Sequence, residues 1–348
     1  MRRISKEIKI GNVSIGGTNK IAIQSMLNTD PHNIEDCTEQ TIRLKNAGCD
    51  IVRLTIPDME SVKTIYEIKS KIDIPLVADI HFDYRLALAA ADAGIDKIRI
   101  NPGNIGDEEK VKLVVAKCKE KQIPIRIGVN SGSLEPVLLE KYGKPTPEAL
   151  AESAYSHISI LEKLDFFDIV LSLKSSSVPF MIDAYRIIAE RCSYPLHLGV
   201  TEAGTREMGI IKSAIGIGSL LSDGIGDTIR VSLTDDPVQE VYAAKKILKG
   251  LGYKGYGPQI VSCPTCGRTK IDLIPLASRV EKSLENVNKD ITVAIMGCIV
   301  NGPGEAKEAD IGIAGGDGRA VIFKKGEILK TVKECDIEAE LLNEINKI

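Results

Sequence analysis

The sequence predicts an α/β protein: a (β/α)8 barrel of the TIM type followed by a small α/β domain. Three observations carry that prediction. Short runs rich in Ile, Val and Leu alternate with helical periodicities across residues 21–250. No Gly-x-Gly-x-x-Gly turn follows any of these strands, which weighs against the alternative, a doubly wound open sheet; Gly216-Ile217-Gly218 follows a helical segment instead. Four glycines and a proline within residues 250–258 then interrupt the rhythm. The expected boundaries are a barrel at 1–250, a linker at 251–258 and a cysteine-bearing domain at 259–348.

Strands are expected at 21–26, 51–56, 75–80, 97–101, 125–129, 168–174, 196–201 and 228–233. Helices are expected after them at 33–47, 58–72, 83–93, 107–121, 147–164, 178–190, 206–215 and 237–248. Asp58, Asp83 and Asp236-Pro237 are start signals for three of these helices. Beyond the linker the pattern reads as a helix at 272–287, strands at 291–296 and 311–314, a hairpin at 319–330 and a helix at 338–347.

Composition narrows the function classes. A hydrophobic content of 43% with 27% charged residues is that of an ordinary globular chain. A net charge of −3 and the absence of Trp give no footing for nucleic acid. No apolar run approaches the roughly 18–20 residues of a membrane span, and residues 1–7 lack an apolar signal core. The expected compartment is the cytoplasm, where thiols stay reduced. Cys37, Cys49, Cys118, Cys192 and Cys335 read as ordinary thiols.

Four barrel strands carry Arg at matching places: Arg53, Arg99, Arg126 and Arg230; a fifth carries Lys174. Strand side chains alternate between faces, so if the flanking Ile, Leu and Val face the helices, these cations face the barrel interior. Thr55, Asn101, Asn130 and Ser232 share their parity, and Asp79, His81, His197 and Thr201 add polar groups on other strands. Arg does not shed its proton, and Asp79 is the main inward carboxylate in these strands, so the interior calls for an anion with several charges. Arg forks match phosphate oxygens, and ligands of such barrels sit at the C-terminal ends of the strands. The loops Pro102-Gly103-Asn104 and Ser131-Gly132-Ser133 offer further N–H groups there.

The second domain carries Cys263-Pro264-Thr265-Cys266-Gly267-Arg268 and Cys298-Ile299-Val300-Asn301-Gly302-Pro303-Gly304-Glu305. A Cys-x-x-Cys turn and a distant third thiolate fit either a zinc site or an iron–sulfur cluster, and spacing leaves both open. Three thiolates and a carboxylate would leave one metal position exchangeable, as chemistry on a bound oxygen requires.

These motifs together resemble the bacterial 4-hydroxy-3-methylbut-2-enyl diphosphate synthases of the non-mevalonate isoprenoid pathway. Matching stretches include Gln24-Ser25-Met26, Val52-Arg53-Leu54-Thr55, Ala78-Asp79-Ile80-His81-Phe82-Asp83, Lys97-Ile98-Arg99-Ile100-Asn101-Pro102-Gly103-Asn104 and Arg126-Ile127-Gly128-Val129-Asn130. They continue with Leu196-His197-Leu198-Gly199-Val200-Thr201-Glu202 and residues 222–232. The resemblance covers about residues 10–320; Leu27 departs from it where a Thr is expected, and the extra central domain of plant-type members is lacking. It implies reductive opening of 2-C-methyl-D-erythritol 2,4-cyclodiphosphate, with a 4Fe–4S cluster on Cys263, Cys266, Cys298 and Glu305. Arg53, Arg99, Arg126, Lys174 and Arg230 would clamp the cyclic diphosphate, with Asn130, Ser232 and His81 assisting. Glu202 is the candidate for proton transfer, with Asp79 or His81 as alternatives that equally read as structural hydrogen-bonding groups. Arg268 stands beside the cluster. Reduced ferredoxin or flavodoxin would be the electron donor. A head-to-tail homodimer would bring one subunit's cluster over the other's barrel. A zinc-stabilised phosphate-binding protein and a barrel methyltransferase with a cluster domain are the competing readings.

Overall fold

The computed structural model describes residues 2–285, 287, 289–299 and 306–348. The chain divides into two compact units between Ile247 and Leu248.

The first unit opens with a hairpin, β1 (Ile8–Ile10) and β2 (Val13–Ile15). Eight parallel strands follow: β3 (Ala22–Met26), β4 (Ile51–Thr55), β5 (Leu76–Asp79), β6 (Lys97–Ile100), β7 (Ile125–Asn130), β8 (Ile169–Lys174), β9 (His197–Leu198) and β10 (Thr228–Ile229). They form one sheet in the order β8-β7-β6-β5-β4-β3-β10-β9. A bridge between Leu171 and Leu196 joins its two ends, and the Leu171 N–H donates to the Pro195 carbonyl at 2.9 Å. The predicted TIM-type barrel is therefore closed. Every residue of β5 and β6 is buried, as expected of strands covered on both faces.

Local chemistry sets most boundaries. Asp83 caps the helix Tyr84–Asp92 by accepting the Arg85 N–H, and Asp236 accepts the Val238 N–H where the helix Pro237–Gly250 begins. Asp58 behaves differently from the expected helix start. It accepts the N–H groups of Glu60 and Ser61 in a preceding turn, and the helix runs over Val62–Lys71. The expected strands at 196–201 and 228–233 shrink to two residues each. Past Ile229 the Leu233 N–H goes to the Glu240 side chain instead of a neighbouring strand. The helix expected at 206–215 continues to Ser222. A Cβ at Gly216 would come within 2.8 Å of the Met181 Cε and 2.9 Å of Val200, so this glycine allows close packing there.

The opening hairpin and the short helix Pro136–Tyr142 were not anticipated. Ile8, Ile10 and Ile15 of the hairpin pack with Ala22, Ile51, Val77 and Val170. The strand register places Val77 beside Arg53 and Lys97, hence on the inward parity, so the hairpin plugs the N-terminal end of the barrel.

The second unit is a five-stranded mixed sheet in the order β11 (Gln259–Ser262), β12 (Thr292–Met296), β13 (Ile311–Gly316), β14 (Arg319–Lys324) and β15 (Glu327–Lys333). The first three strands are parallel and the last two antiparallel. The helices Leu273–Ser283 and Ile337–Asn346 cover one face through Leu276, Val280 and Leu341, packed on Val293, Ile295 and Ile313. Ala294, Met296, Ala306, Ala314 and Phe323 pack on the other. β11 went unforeseen because it is four residues long and mostly exposed. Among the described residues no helix is long and apolar enough to cross a membrane.

Candidate active site

The inward parity read from the sequence places Arg53, Asp79, Arg99 and Arg126 in the barrel, all buried. In register, Asp79 lies beside Arg99 and Arg99 beside Arg126. Gly128 leaves room for this stack, since a Cβ there would lie 2.6 Å from the Arg99 Nε. The Asp79 carboxylate receives Arg53 on one oxygen and Arg99 on the other, the latter at 3.2 Å. His81 Nε2 stands 3.2 Å from the Arg53-facing oxygen. Burial pushes the Asp79 pKa up, but Arg53, His81 and Arg99 outweigh it and hold the carboxyl far below the usual range.

Arg230 has a carboxylate of its own, supplied from a helix and not from the barrel strands, among which Asp79 is the main inward carboxylate. Glu240 reaches in from the helix Pro237–Gly250 and accepts from Arg230 Nη2 at 3.2 Å and Nε at 3.3 Å. Arg126 has no such partner. It is fully buried, and its Nε, Nη1 and Nη2 have no hydrogen-bond partner among the described residues. The same holds for Lys97 Nζ and for both ends of the Gln24 amide. Burial, then Arg126 and Arg53, depress the Lys97 pKa. A guanidinium keeps its proton under such conditions, so Arg126 is a buried cation awaiting an anion or solvent.

At the C-terminal end of the strands opens a small cavity lined among others by Arg53, Lys174, His197, Thr201, Arg230 and Ser232. Burial, followed by Arg53, Arg99 and Arg126, lowers the Lys174 pKa to about 6. His197 pairs Nδ1 with the Thr228 hydroxyl at 2.7 Å, and burial, then Arg126 and Lys97, keep it neutral. Asn130, the last residue of β7, lies opposite Lys174 in register. Tyr185 extends the barrel seam: its hydroxyl accepts the Leu173 N–H at 3.0 Å and donates to the His197 carbonyl. Glu202 follows the wall residue Thr201, is exposed, and holds a left-handed backbone with φ of 51°.

Gln24, Lys97, Tyr185 and Glu240 are site residues that sequence reasoning missed. Lys97 had a signal, standing two residues before Arg99 on the same face. Glu240 had none, because it is one charge on an amphipathic helix.

In the second unit β11 and β12 run parallel with Ser262 opposite Ile295, so Cys263 and Cys298 both follow the same end of the sheet. The Gly297 N–H donates to Cys263 Sγ at 3.2 Å. The exposed Cys266 thiol is lowered by the Arg268 backbone N–H and then by the Arg268 side chain. By contrast, burial pushes Cys49 and Cys118 up to about 12. Glu305 lies outside the described residues; its neighbour Ala306 is buried in the cluster against which Cys263 packs. Among the described residues no three Cys, His, Asp or Glu side chains converge on one point. The chemistry of the donor set, thiols with N–H groups directed at sulfur, fits an iron–sulfur cluster.

The barrel alone resembles the dihydropteroate synthase structures from Stenotrophomonas maltophilia and Xanthomonas albilineans. TM-scores are 0.53 and 0.52 at 12% and 11% identity, covering 71% of this chain and 98% and 99% of theirs; such a likeness concerns fold only. Relatives far closer in sequence are 4-hydroxy-3-methylbut-2-en-1-yl diphosphate synthases (flavodoxin). The protein from Caldanaerobacter subterraneus subsp. tengcongensis is 61% identical over 100% of this chain and 98% of its own. That from Clostridium perfringens is 60% identical over 100% and 99%. Residues 5–245 match the GcpE TIM-barrel domain and residues 259–347 the GcpE protein C-terminal domain. The arginine-lined barrel and the cysteine-bearing sheet thus carry one family's two domains in its order, and the chain belongs to the GcpE family.

Proposed function

We propose that the chain converts 2-C-methyl-D-erythritol 2,4-cyclodiphosphate to 4-hydroxy-3-methylbut-2-enyl diphosphate. Two electrons and two protons open the ring and release one water. The observation that carries this reading is the cationic well lined by Arg53, Lys174 and Arg230, in a barrel whose interior also buries Arg126 without a hydrogen-bond partner among the described residues. The names of the relatives support it.

Arg53, Arg99, Arg126, Lys174 and Arg230 bind the diphosphate, with Asn130, Ser232 and His81 completing the shell. Asp79 holds Arg53 and Arg99 in place. A carboxyl kept that far below its usual range does not deliver protons at neutral pH, so Asp79 is set aside; Glu202, next in sequence to the wall residue Thr201, is the proposed proton donor and His81 the alternative. The left-handed backbone of Glu202 is the kind of local strain that functional sites hold. A 4Fe–4S cluster on Cys263, Cys266, Cys298 and Glu305 supplies the electrons one at a time, drawn from reduced flavodoxin, the donor in the relatives' names, or from ferredoxin.

The site is shared in a head-to-tail homodimer. A linker of about ten residues spans at most roughly 35 Å, and the family resemblance implies that one subunit's cluster serves the other's barrel. Mixing an Arg126→Met variant with a Cys298→Ala variant tests this: restored partial activity supports a shared site, and none argues for a site within one chain. The chemistry is tested by anaerobic purification and turnover of the cyclodiphosphate with reduced flavodoxin, with the product read by mass spectrometry. Stoichiometric zinc without iron or sulfide would overturn it.

A further inference from the structure

Glu240 belongs to a helix outside the barrel, yet it is only 3% exposed. Its carboxylate gathers four donors. The Ser25 hydroxyl donates at 2.9 Å, the Leu233 N–H at 3.1 Å, and Arg230 through Nη2 and Nε at 3.2 and 3.3 Å. The Ser25 and Leu233 donors already give each carboxylate oxygen one hydrogen bond; the bidentate pair with Arg230 does more. It fixes the plane of the guanidinium and leaves Nη1, whose one hydrogen-bond partner among the described residues is the Met26 sulfur at 3.4 Å, on the free side. Arg230 also lines the well.

We propose that Glu240 is a positioning residue that aims Arg230 at the anionic substrate and limits how strongly that arginine holds it. The inference rests on the reading of the well as a diphosphate site. A buried negative charge behind Arg230 subtracts from the field an anion meets in the well. It also removes rotational freedom that a lone arginine would lose on binding. Affinity is thereby exchanged for geometry, and geometry is what accelerates a reaction step.

Glu240→Gln separates the two effects. The amide retains an acceptor for the Leu233 N–H but withdraws the charge. The variant should bind inorganic diphosphate about 3-fold or more tightly, with steeper salt dependence. It should turn over the cyclodiphosphate about 10-fold or more slowly, with no rise in KM. Glu240→Asp keeps the charge but retracts it, and should lose turnover without gaining affinity. In an Arg230→Met background Glu240→Gln should change neither quantity further. Calorimetry for binding and steady-state kinetics supply the readouts, with thermal melting as the check on folding. Glu240→Gln binding diphosphate no more tightly than the parent, or turning over at the parent's rate, overturns the inference. If the parent itself neither binds diphosphate nor consumes the cyclodiphosphate, the reading of the well falls first, and that failure is seen without any Glu240 variant.

Discussion

Arg99 Nη1 donates to Asp79 Oδ1 at 3.2 Å, with both side chains 3% exposed. Arg53 occupies the other oxygen, so one carboxylate restrains two guanidiniums in the barrel interior. Removing its charge leaves two buried cations without their counter-charge. Asp79→Asn should therefore cost about 3–5 kcal/mol of stability in urea titrations. The sign follows from the depressed pKa: the contribution is fully present above the unfolded carboxyl's pKa of about 4 and is lost as pH falls towards the folded value. A variant as stable as the parent but inactive would instead make Asp79 a chemical participant.

Arg126 should show opposite effects on binding and stability. Arg126→Met removes a buried cation with no partner among the described residues, so the variant should melt higher than the parent. The same change should weaken binding of inorganic diphosphate about 10-fold or more. Calorimetry and thermal melts on one preparation test both halves.

Lys174, with a pKa lowered to about 6, is mostly uncharged at pH 8 in the free protein. A bound diphosphate favours the ammonium, so binding takes up a proton above pH 6 and almost none at pH 5. Titrations in two buffers of different ionisation enthalpy should report an uptake that grows from pH 5 to pH 8. Lys174→Met should abolish it.

Lys97→Met should stabilise the fold by about 1–3 kcal/mol at pH 7, since a buried amine without a partner among the described residues is replaced by an apolar chain of similar length. The folded pKa is lowered, so the unfolded chain binds more protons between that value and about 10.4. The parent accordingly gains stability as pH rises through this window, and the advantage of the variant should shrink towards pH 10. Denaturation at pH 7 and pH 9.5 provides the comparison.

Tyr185→Phe tests the barrel seam. β9 is two residues long, and the tyrosine hydroxyl joins Leu173 to His197 across the junction. The variant should lose about 1–3 kcal/mol, leaving a buried N–H and a buried carbonyl short of a partner. Amide exchange should quicken at Leu173 before the remainder of β8.

Charge in an otherwise apolar strand is a strong signal, because period-two alternation forces it to one face; Arg53, Arg99 and Arg126 were legible for that reason. The β/α rhythm was legible from runs such as Ile51–Thr55 and Ile169–Lys174, which are long enough to show their period. The hairpin strands Ile8–Ile10 and Val13–Ile15 are three residues each, too short to display any period. The strand end at 229 was overrun because a side chain, Glu240, satisfies the Leu233 amide that a ladder would otherwise use. Glu240 itself was hidden because its partners lie 10 and 215 residues away in sequence. Cys263, Cys266 and Cys298 stood out through spacing and turn residues, whereas the position of Glu305 lies outside the described residues.

The plug formed by Ile8, Ile10 and Ile15 gives the barrel a floor and no drain. The well is a blind shaft: whatever arrives at the strand C-termini must depart by the same door. Arrival of fresh substrate and departure of product are then mutually exclusive, and a single molecule wedged in the doorway stops both.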